Sequence, residues 1–189
     1  MSVTQIILKR SFDVFCSLWV VCVLFLPILL LIFIASFDTK GTGLFFQKRV
    51  GLNGQSFVIY KIRTMSVKDD SISRFGSFLR TLKIDELPQF LNVLMGTMSI
   101  VGPRPDVIGF ADALIGDDRK VLEVKPGITS DASIKYFNEE ELLRGKVNLD
   151  YVDRIWQDKV KLNKEYVENW TFKRDLKIIL TTIKLILKR

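Results

Sequence analysis

Residues Cys16–Phe37 make a run of 22 residues without a charge, interrupted only by Ser17, Pro27 and Ser36. Wound as an α-helix, such a run measures about 33 Å, enough to cross the hydrocarbon core of a bilayer. A cleaved signal peptide fits poorly, because its apolar region would end after about 7–15 residues at an A-x-A-like site. Here the small pair Ala35-Ser36 follows bulky Phe33 and Ile34. Orientation is then a question of charge. Lys9 and Arg10 precede the run, Lys40, Lys48 and Arg49 follow it, and positive charge marks the cytoplasmic side. Both flanks claim the inside.

Pro27 stands near the middle of the run. It removes a backbone hydrogen bond and crowds the preceding turn, so a kink or break is expected there. A helix broken at Pro27 has two arms of about 16 Å each, which can enter one leaflet and return. Re-entry is preferred here over a plain spanning helix. Residues 1–40 are therefore expected to anchor the chain, and residues 41–189 to form a cytoplasmic domain. The sequon Asn169-Trp170-Thr171 would then never meet the glycosylation machinery.

The net charge of +7 suits either nucleic acid or an anionic leaflet. The apolar run in the same chain decides for membrane lipids, and no nucleic-acid partner is expected. There are no histidines, and the only cysteines, Cys16 and Cys22, lie inside the run. That leaves no disulfide framework, no zinc site and no imidazole base. A metal, if used, must be a hard cation such as Mg²⁺, held by carboxylates and substrate phosphates.

The rest reads as an α+β domain, mostly helical with a small β-hairpin. Leu44–Val50 and Ser56–Lys61 are β-rich runs around Asn53-Gly54, a hairpin signal. Val67–Ser73 is polar and reads as a loop. Phe75, Phe78, Leu79 and Leu82 repeat with helical spacing, and Pro88–Leu94 fits a short helix stopped by Gly96. Lys125-Pro126-Gly127 reads as a turn. Asn138 ahead of Glu139–Glu141 resembles an N-cap. Val152, Ile155, Trp156 and Val160 mark another amphipathic helix. The run Asp175–Arg189 sets Lys177, Thr181, Lys184 and Lys188 against a broad Leu/Ile face, suited to lying at a membrane interface or to packing on the domain.

Two clusters can carry chemistry. Asp85 and Glu86 precede the helix at Pro88. Adjacent carboxylates diverge on a regular helix, so they suit separate jobs: one binds metal or attacks phosphorus, while the other handles a proton or orients its neighbour. An acidic helix start is the ordinary alternative. The second cluster is Gly102-Pro103-Arg104-Pro105, where Pro103 and Pro105 hold the backbone around an arginine whose fork fits phosphate oxygens.

Their order along the chain says more than either cluster. Lys9-Arg10-x-Phe12-Asp13 is followed by Phe46-Gln47-x-Arg49-x-Gly51-x-x-Gly54-x-x-Phe57-x-Ile59-x-Lys61-x-Arg63-Thr64-Met65. Then come Asp85-Glu86-Leu87-Pro88-Gln89-x-x-Asn92-Val93-Leu94, Gly102-Pro103-Arg104-Pro105 and Lys125-Pro126-Gly127-Ile128-Thr129. From about Lys9 to Thr129 this resembles the bacterial sugar transferase family, the monotopic phosphoglycosyl transferases. The resemblance implies transfer of a sugar 1-phosphate from a UDP-sugar to undecaprenyl phosphate. UMP is released, and a surface glycan such as a capsule, O-antigen, exopolysaccharide or glycoprotein glycan is begun. It implies that Asp85 is the nucleophile, forming an aspartyl-phosphosugar intermediate with Mg²⁺ at the same carboxylate, and that Glu86 is its catalytic partner. Arg80, Arg104, Lys61 and Arg63 would face phosphates. It also implies a broken, re-entrant membrane helix, interfacial amphipathic helices and a cytoplasmic catalytic domain on the bacterial inner membrane, with both termini inside. A homodimer is left open, as is a non-catalytic adaptor that keeps the fold and recruits other glycan enzymes.

The chain departs from the family in two places. Many relatives follow Pro-Gly-Ile-Thr with Gly-x-x-Gln-Val-Asn-Gly-Arg, where this chain has Ser130-Asp131-Ala132-Ser133-Ile134-Lys135-Tyr136-Phe137. Lys135 or Arg144 is expected to replace the absent arginine. Leu26 precedes Pro27 where some relatives carry serine, so the bend angle is not carried over.

Overall fold

The structure, a computed structural model, describes residues 2–138 and 149–189. Helix α1 runs from Val3 to Asp38. Strands β1 (Leu44–Val50) and β2 (Ser56–Ile62) form an antiparallel hairpin in which Phe45 faces Lys61 and Arg49 faces Phe57. The turn takes Asn53 and Gly54 into the left-handed region (φ 56° and 79°), which Asn and Gly tolerate best. Helices α2 (Arg74–Thr81) and α3 (Gln89–Leu94) follow, then α4 (Asp131–Lys135), α5 (Leu149–Glu168) and α6 (Phe172–Leu187). Among the described residues the fold is mostly helical around little sheet, as expected. The candidate cap at Asn138–Glu141 extends beyond the described residues.

Three features differ from the sequence reading. Helix α1 continues through Pro27 as one helix, so the expected break does not divide it into two. A proline removes one intrahelical bond and crowds one carbonyl, which a bend can absorb while neighbouring residues stay helical. Lys125-Pro126 forms no assigned turn and leads into β4 (Gly127–Thr129), which pairs in parallel with β3 (Ser99–Val101). A Cβ built on Gly127 would lie 2.1 Å from the Gly102 backbone nitrogen, so the two chains meet there only because no side chain intervenes. Phe78, placed on the apolar face of α2, is 53% exposed, whereas Leu79 is fully buried.

Both ends of α1 rest on the same body. Near the N-terminus, Lys9 donates to Asp175 (2.6 Å), Arg10 donates to the Val93 and Leu94 carbonyls at the end of α3, and Asp13 accepts from the Ser99 hydroxyl and the Ile100 amide. Near the C-terminus, Ala35 packs with Ile62 and Leu79. Gly43 sits so close to the Ile32 carbonyl that a Cβ would fall 1.8 Å from it. Between these contacts Trp19, Val23, Phe25, Leu26, Leu29, Leu30 and Phe33 are exposed. This is one helix long and apolar enough to cross a membrane, and it fits a membrane-associated protein.

The main core joins Ile59 of β2, Val93 of α3, Met98, Ile100 and Val101 around β3, Tyr166 of α5, Trp170 and Ile178 of α6. Asn92 fastens the hairpin to α3: its amide donates to the Val58 carbonyl (2.7 Å) and its oxygen accepts from the Tyr60 amide (3.1 Å). These contacts bring β2 and the start of α3 together, with Asp85 and Glu86 between them.

Candidate active site

The segment carrying the carboxylates is built by a sharp reversal. After α2, Lys83 adopts the left-handed conformation (φ 56°) and the chain turns into a single 3-10 turn, Ile84–Glu86, before Pro88 opens α3. A non-glycine residue in that conformation is strained, and such positions persist where the surrounding structure fixes them. The short turn sets Asp85 and Glu86 on successive positions, and both reach the lining of one cavity.

Their environments then separate them further. Glu86 is buried and accepts from Lys61 Nζ at 3.0 Å and from Arg104 Nη2 at 2.5 Å, both on Oε1. Burial pushes its carboxyl up, but Arg104 and Lys61 outweigh burial and hold it well below the ordinary carboxylate range. Asp85 is 8% exposed, and its Oδ1 has no hydrogen-bond partner. Burial, reinforced by the Glu86 charge, pushes its carboxyl from 3.8 to about 6. Above that pH it is a desolvated anion, with Lys61, Lys83 and Arg104 partly offsetting the cost of its charge. Glu86 is a fixed anion that orients two cations.

Asp85 and Glu86 open into a cavity of ≈ 540 Å³ whose walls include the four basic residues expected to face phosphates: Lys61, Arg63, Arg80 and Arg104. Arg63 spends its donors on the Thr42 and Leu44 carbonyls and stacks over Phe45, so it braces the start of the hairpin as well as lining the cavity. Pro103 and Pro105 are buried behind Arg104 and fix its backbone. Pro27 lies in the exposed stretch of α1, away from this centre.

Gln47, Arg49 and Lys83 also line the cavity; Gln47 and Arg49 stood in the motif without an assigned role, and Lys83 was not singled out. Gln47 and Arg49 alternate with exposed Phe46 and Lys48 along β1, so the strand's two-residue period was the available signal. Nothing in the sequence marked Lys83, whose place depends on its backbone conformation. Six basic side chains thus stand against Asp70, Asp85 and Glu86, a balance suited to a diphosphate.

A second cavity, of ≈ 430 Å³, adjoins the first at this centre. It shares Lys83, Glu86 and Arg104 with the first, but is otherwise lined largely by apolar side chains of α1, α3, β4 and α6. Lys135, expected to replace the family's arginine, is drawn instead to Asp158 (2.7 Å) and is 53% exposed. Arg144 lies outside the described residues. Lys159 of α5, not foreseen, lines the second cavity.

A family model described as bacterial sugar transferase matches residues 4–189. The chain belongs to the bacterial sugar transferase family. This transferase is 36% identical over 191 residues to the uncharacterized sugar transferase EpsL of Bacillus subtilis strain 168, an alignment covering 96% of this chain and 88% of the relative. It is also 36% identical over 191 residues to the UDP-glucose:undecaprenyl-phosphate glucose-1-phosphate transferase of Caulobacter vibrioides, covering 93% of this chain and 68% of the relative. To the protein of the same name in Escherichia coli K12 it is 32% identical over 197 residues, covering 94% of this chain but 39% of the relative. The transferase therefore spans well under half of that longer relative. Family membership makes it an enzyme, and the motif resemblance is borne out.

Proposed function

We propose that the transferase moves a sugar 1-phosphate from a UDP-sugar to undecaprenyl phosphate, releasing UMP, through a covalent intermediate on Asp85. One observation carries the reading: Asp85, a buried carboxylate whose Oδ1 has no hydrogen-bond partner, lines a cavity walled by cations, while its neighbour is tied to two of them. The names of the Caulobacter vibrioides and Escherichia coli relatives supply the substrate classes.

In the first half-reaction an Asp85 carboxylate oxygen attacks the sugar-bearing phosphorus. An O–P bond forms to the carboxylate, the bond to the bridging diphosphate oxygen breaks, and UMP leaves with that electron pair. In the second, a phosphate oxygen of the acceptor attacks the same phosphorus, and the Asp85 carboxylate leaves. No proton need move in either step when the acceptor is a dianion. Glu86 holds Lys61 and Arg104 where they neutralise charge on the diphosphate, so the work is positioning and electrostatics.

The residues fit a magnesium ion carried largely by substrate. The Asp85 carboxylate, with one oxygen unpartnered, offers one hard ligand, Glu86 is already committed, and no group of three candidate ligands occurs among the described residues. Asp85 would hold such an ion together with the substrate, and the ion would supply further charge neutralisation.

The same reading places residues 41–189 on the cytoplasmic face of the bacterial inner membrane, with residues 1–40 as a re-entrant anchor and α6 at the interface. A straight helix would separate Arg10 from Ala35 by about 38 Å. Their partners Val93 and Ile62 lie much closer together, linked by the Asn92–Tyr60 bond and two residues of β2, about 7 Å of strand. That supports a bend at Pro27. On α6, Leu176, Leu180, Ile183 and Leu187 form an exposed apolar stripe beside Lys177, Lys184 and Lys188, a pattern suited to the membrane surface.

The test is product identity. Purified protein with Mg²⁺, undecaprenyl phosphate and a panel of UDP-sugars is expected to release UMP with at least one of them. Release of UDP would mean ordinary glycosyl transfer, and silence of folded protein across the panel would favour the adaptor.

A further inference from the structure

The apolar cavity has a shape and a charge pattern that the polar one lacks. Phe90 and Ile128 line it, with Val20 of α1 and Ile183 of α6. Both helices also carry exposed apolar residues, Trp19 and Val23 on α1 and Leu180 and Leu187 on α6. Glu86, Arg104, Lys83 and Lys159 complete the lining with charge. A ligand filling this space has a long apolar tail that leaves between α1 and α6, and an anionic head that meets the cations within the shared catalytic centre.

Lys159 is placed by its helix. Val160 and Ile155 are buried, and the Tyr136 hydroxyl donates to Asp158 at 2.6 Å, so α4 and α5 are fastened beside it. Its ammonium lies 5.7 Å from the Tyr136 ring centroid, a cation–π contact that steadies it at the cavity rim. Lys83, from the strained turn, stands on both cavities and so between the two substrates.

Resting on the function proposed above, we infer that this cleft seats the head and first isoprene units of the polyprenyl phosphate acceptor, and that Lys159 binds its phosphate in this chain. A terminal phosphate monoester suits the site, because its dianionic head is a stronger and less hindered nucleophile toward the Asp85 intermediate than the monoanion of a phosphodiester lipid. The O–P bond formed joins acceptor and sugar phosphate, the bond broken frees the Asp85 carboxylate, and charge is conserved. Lysine is a point donor where arginine is a fork, so a lysine here compensates for charge rather than for bidentate geometry.

The experiment uses the full chain in nanodiscs with a diazirine-bearing polyprenyl phosphate, and its labelling arm needs no turnover. On illumination, label is expected in peptides of α6 spanning Ile179–Ile186 or of α1 around Val20. Unlabelled polyprenyl phosphate should compete, and excess phosphatidylglycerol should not. Lys159→Gln should lower labelling at least fivefold and raise the acceptor KM by a similar factor, while the UDP-sugar KM moves less than twofold; Lys159→Arg should restore both. Label elsewhere, equal competition by phosphatidylglycerol, or wild-type labelling in Lys159→Gln would overturn the inference. Failure of the wild type to release UMP would strike instead at the proposed reaction, so the two failures are separable.

Discussion

Replacing Asp85 by asparagine should abolish turnover and make the protein more stable. The carboxyl is 8% exposed, and burial followed by the Glu86 charge lifts it from 3.8 to about 6. Between those values the native state holds a proton that the unfolded chain has lost, so stability falls as pH rises through that window. Below 3.8 the penalty is absent, and above 6 it is complete. The interval corresponds to about 3 kcal/mol. Asparagine keeps the shape without the charge, and the oxygen it replaces has no partner to lose. Burying an amide cancels part of the gain, which leaves an expected stabilisation of about 1–3 kcal/mol at pH 7.5. The assay is urea unfolding in detergent with EDTA, followed by tryptophan fluorescence, for wild type and Asp85→Asn between pH 4 and 8. The gain should shrink towards zero at pH 4. No gain at pH 7.5, or an equal gain at both ends of the range, would refute the claim that the site buries an unfavourable charge.

Glu86→Gln leaves Lys61 and Arg104 aimed at a neutral amide. UMP release should fall by roughly 10²-fold or more, and because Arg104 is 40% exposed the stability loss should stay near about 1–2 kcal/mol, read by the same unfolding assay. Gly127→Ala would place a methyl group against the Gly102 backbone and force β3 from β4; a lower melting temperature and poor recovery of folded protein are expected, and wild-type stability would contradict the close approach. Chelation should stop UMP release, and added Mg²⁺ should restore it; turnover persisting in EDTA would remove the metal from the account.

The hairpin, α2, α3 and α6 were legible because their signals are local: Asn53-Gly54, the spacing of Phe75 and Leu79, Pro88 and Gly96. The strands β3 and β4 were not, since three residues carry no period and their pairing joins Ser99 to Gly127 across the sequence. Asp85, Glu86 and Arg104 were found through their motifs, yet nothing in the sequence assigned different protonation behaviour to two adjacent carboxylates. That difference arises from Lys61, brought from β2, and Arg104, brought from the loop after β3. Lys83 and Lys159 were missed for a related reason. One depends on a left-handed residue and the other on the docking of α5 beside α4, and neither leaves a pattern in the chain. Lys135 carries the right charge near the expected place, but Asp158 claims it.

The central claim is that Asp85 itself becomes bonded to phosphorus. Protein incubated with Mg²⁺ and an accepted UDP-sugar, without acceptor, should release UMP in a burst of up to one equivalent per active site. Mass spectrometry of its peptides should find the added sugar phosphate on Asp85, and undecaprenyl phosphate should discharge it. A burst-free reaction that requires both substrates together, or a sugar phosphate recovered on any other residue, would contradict it.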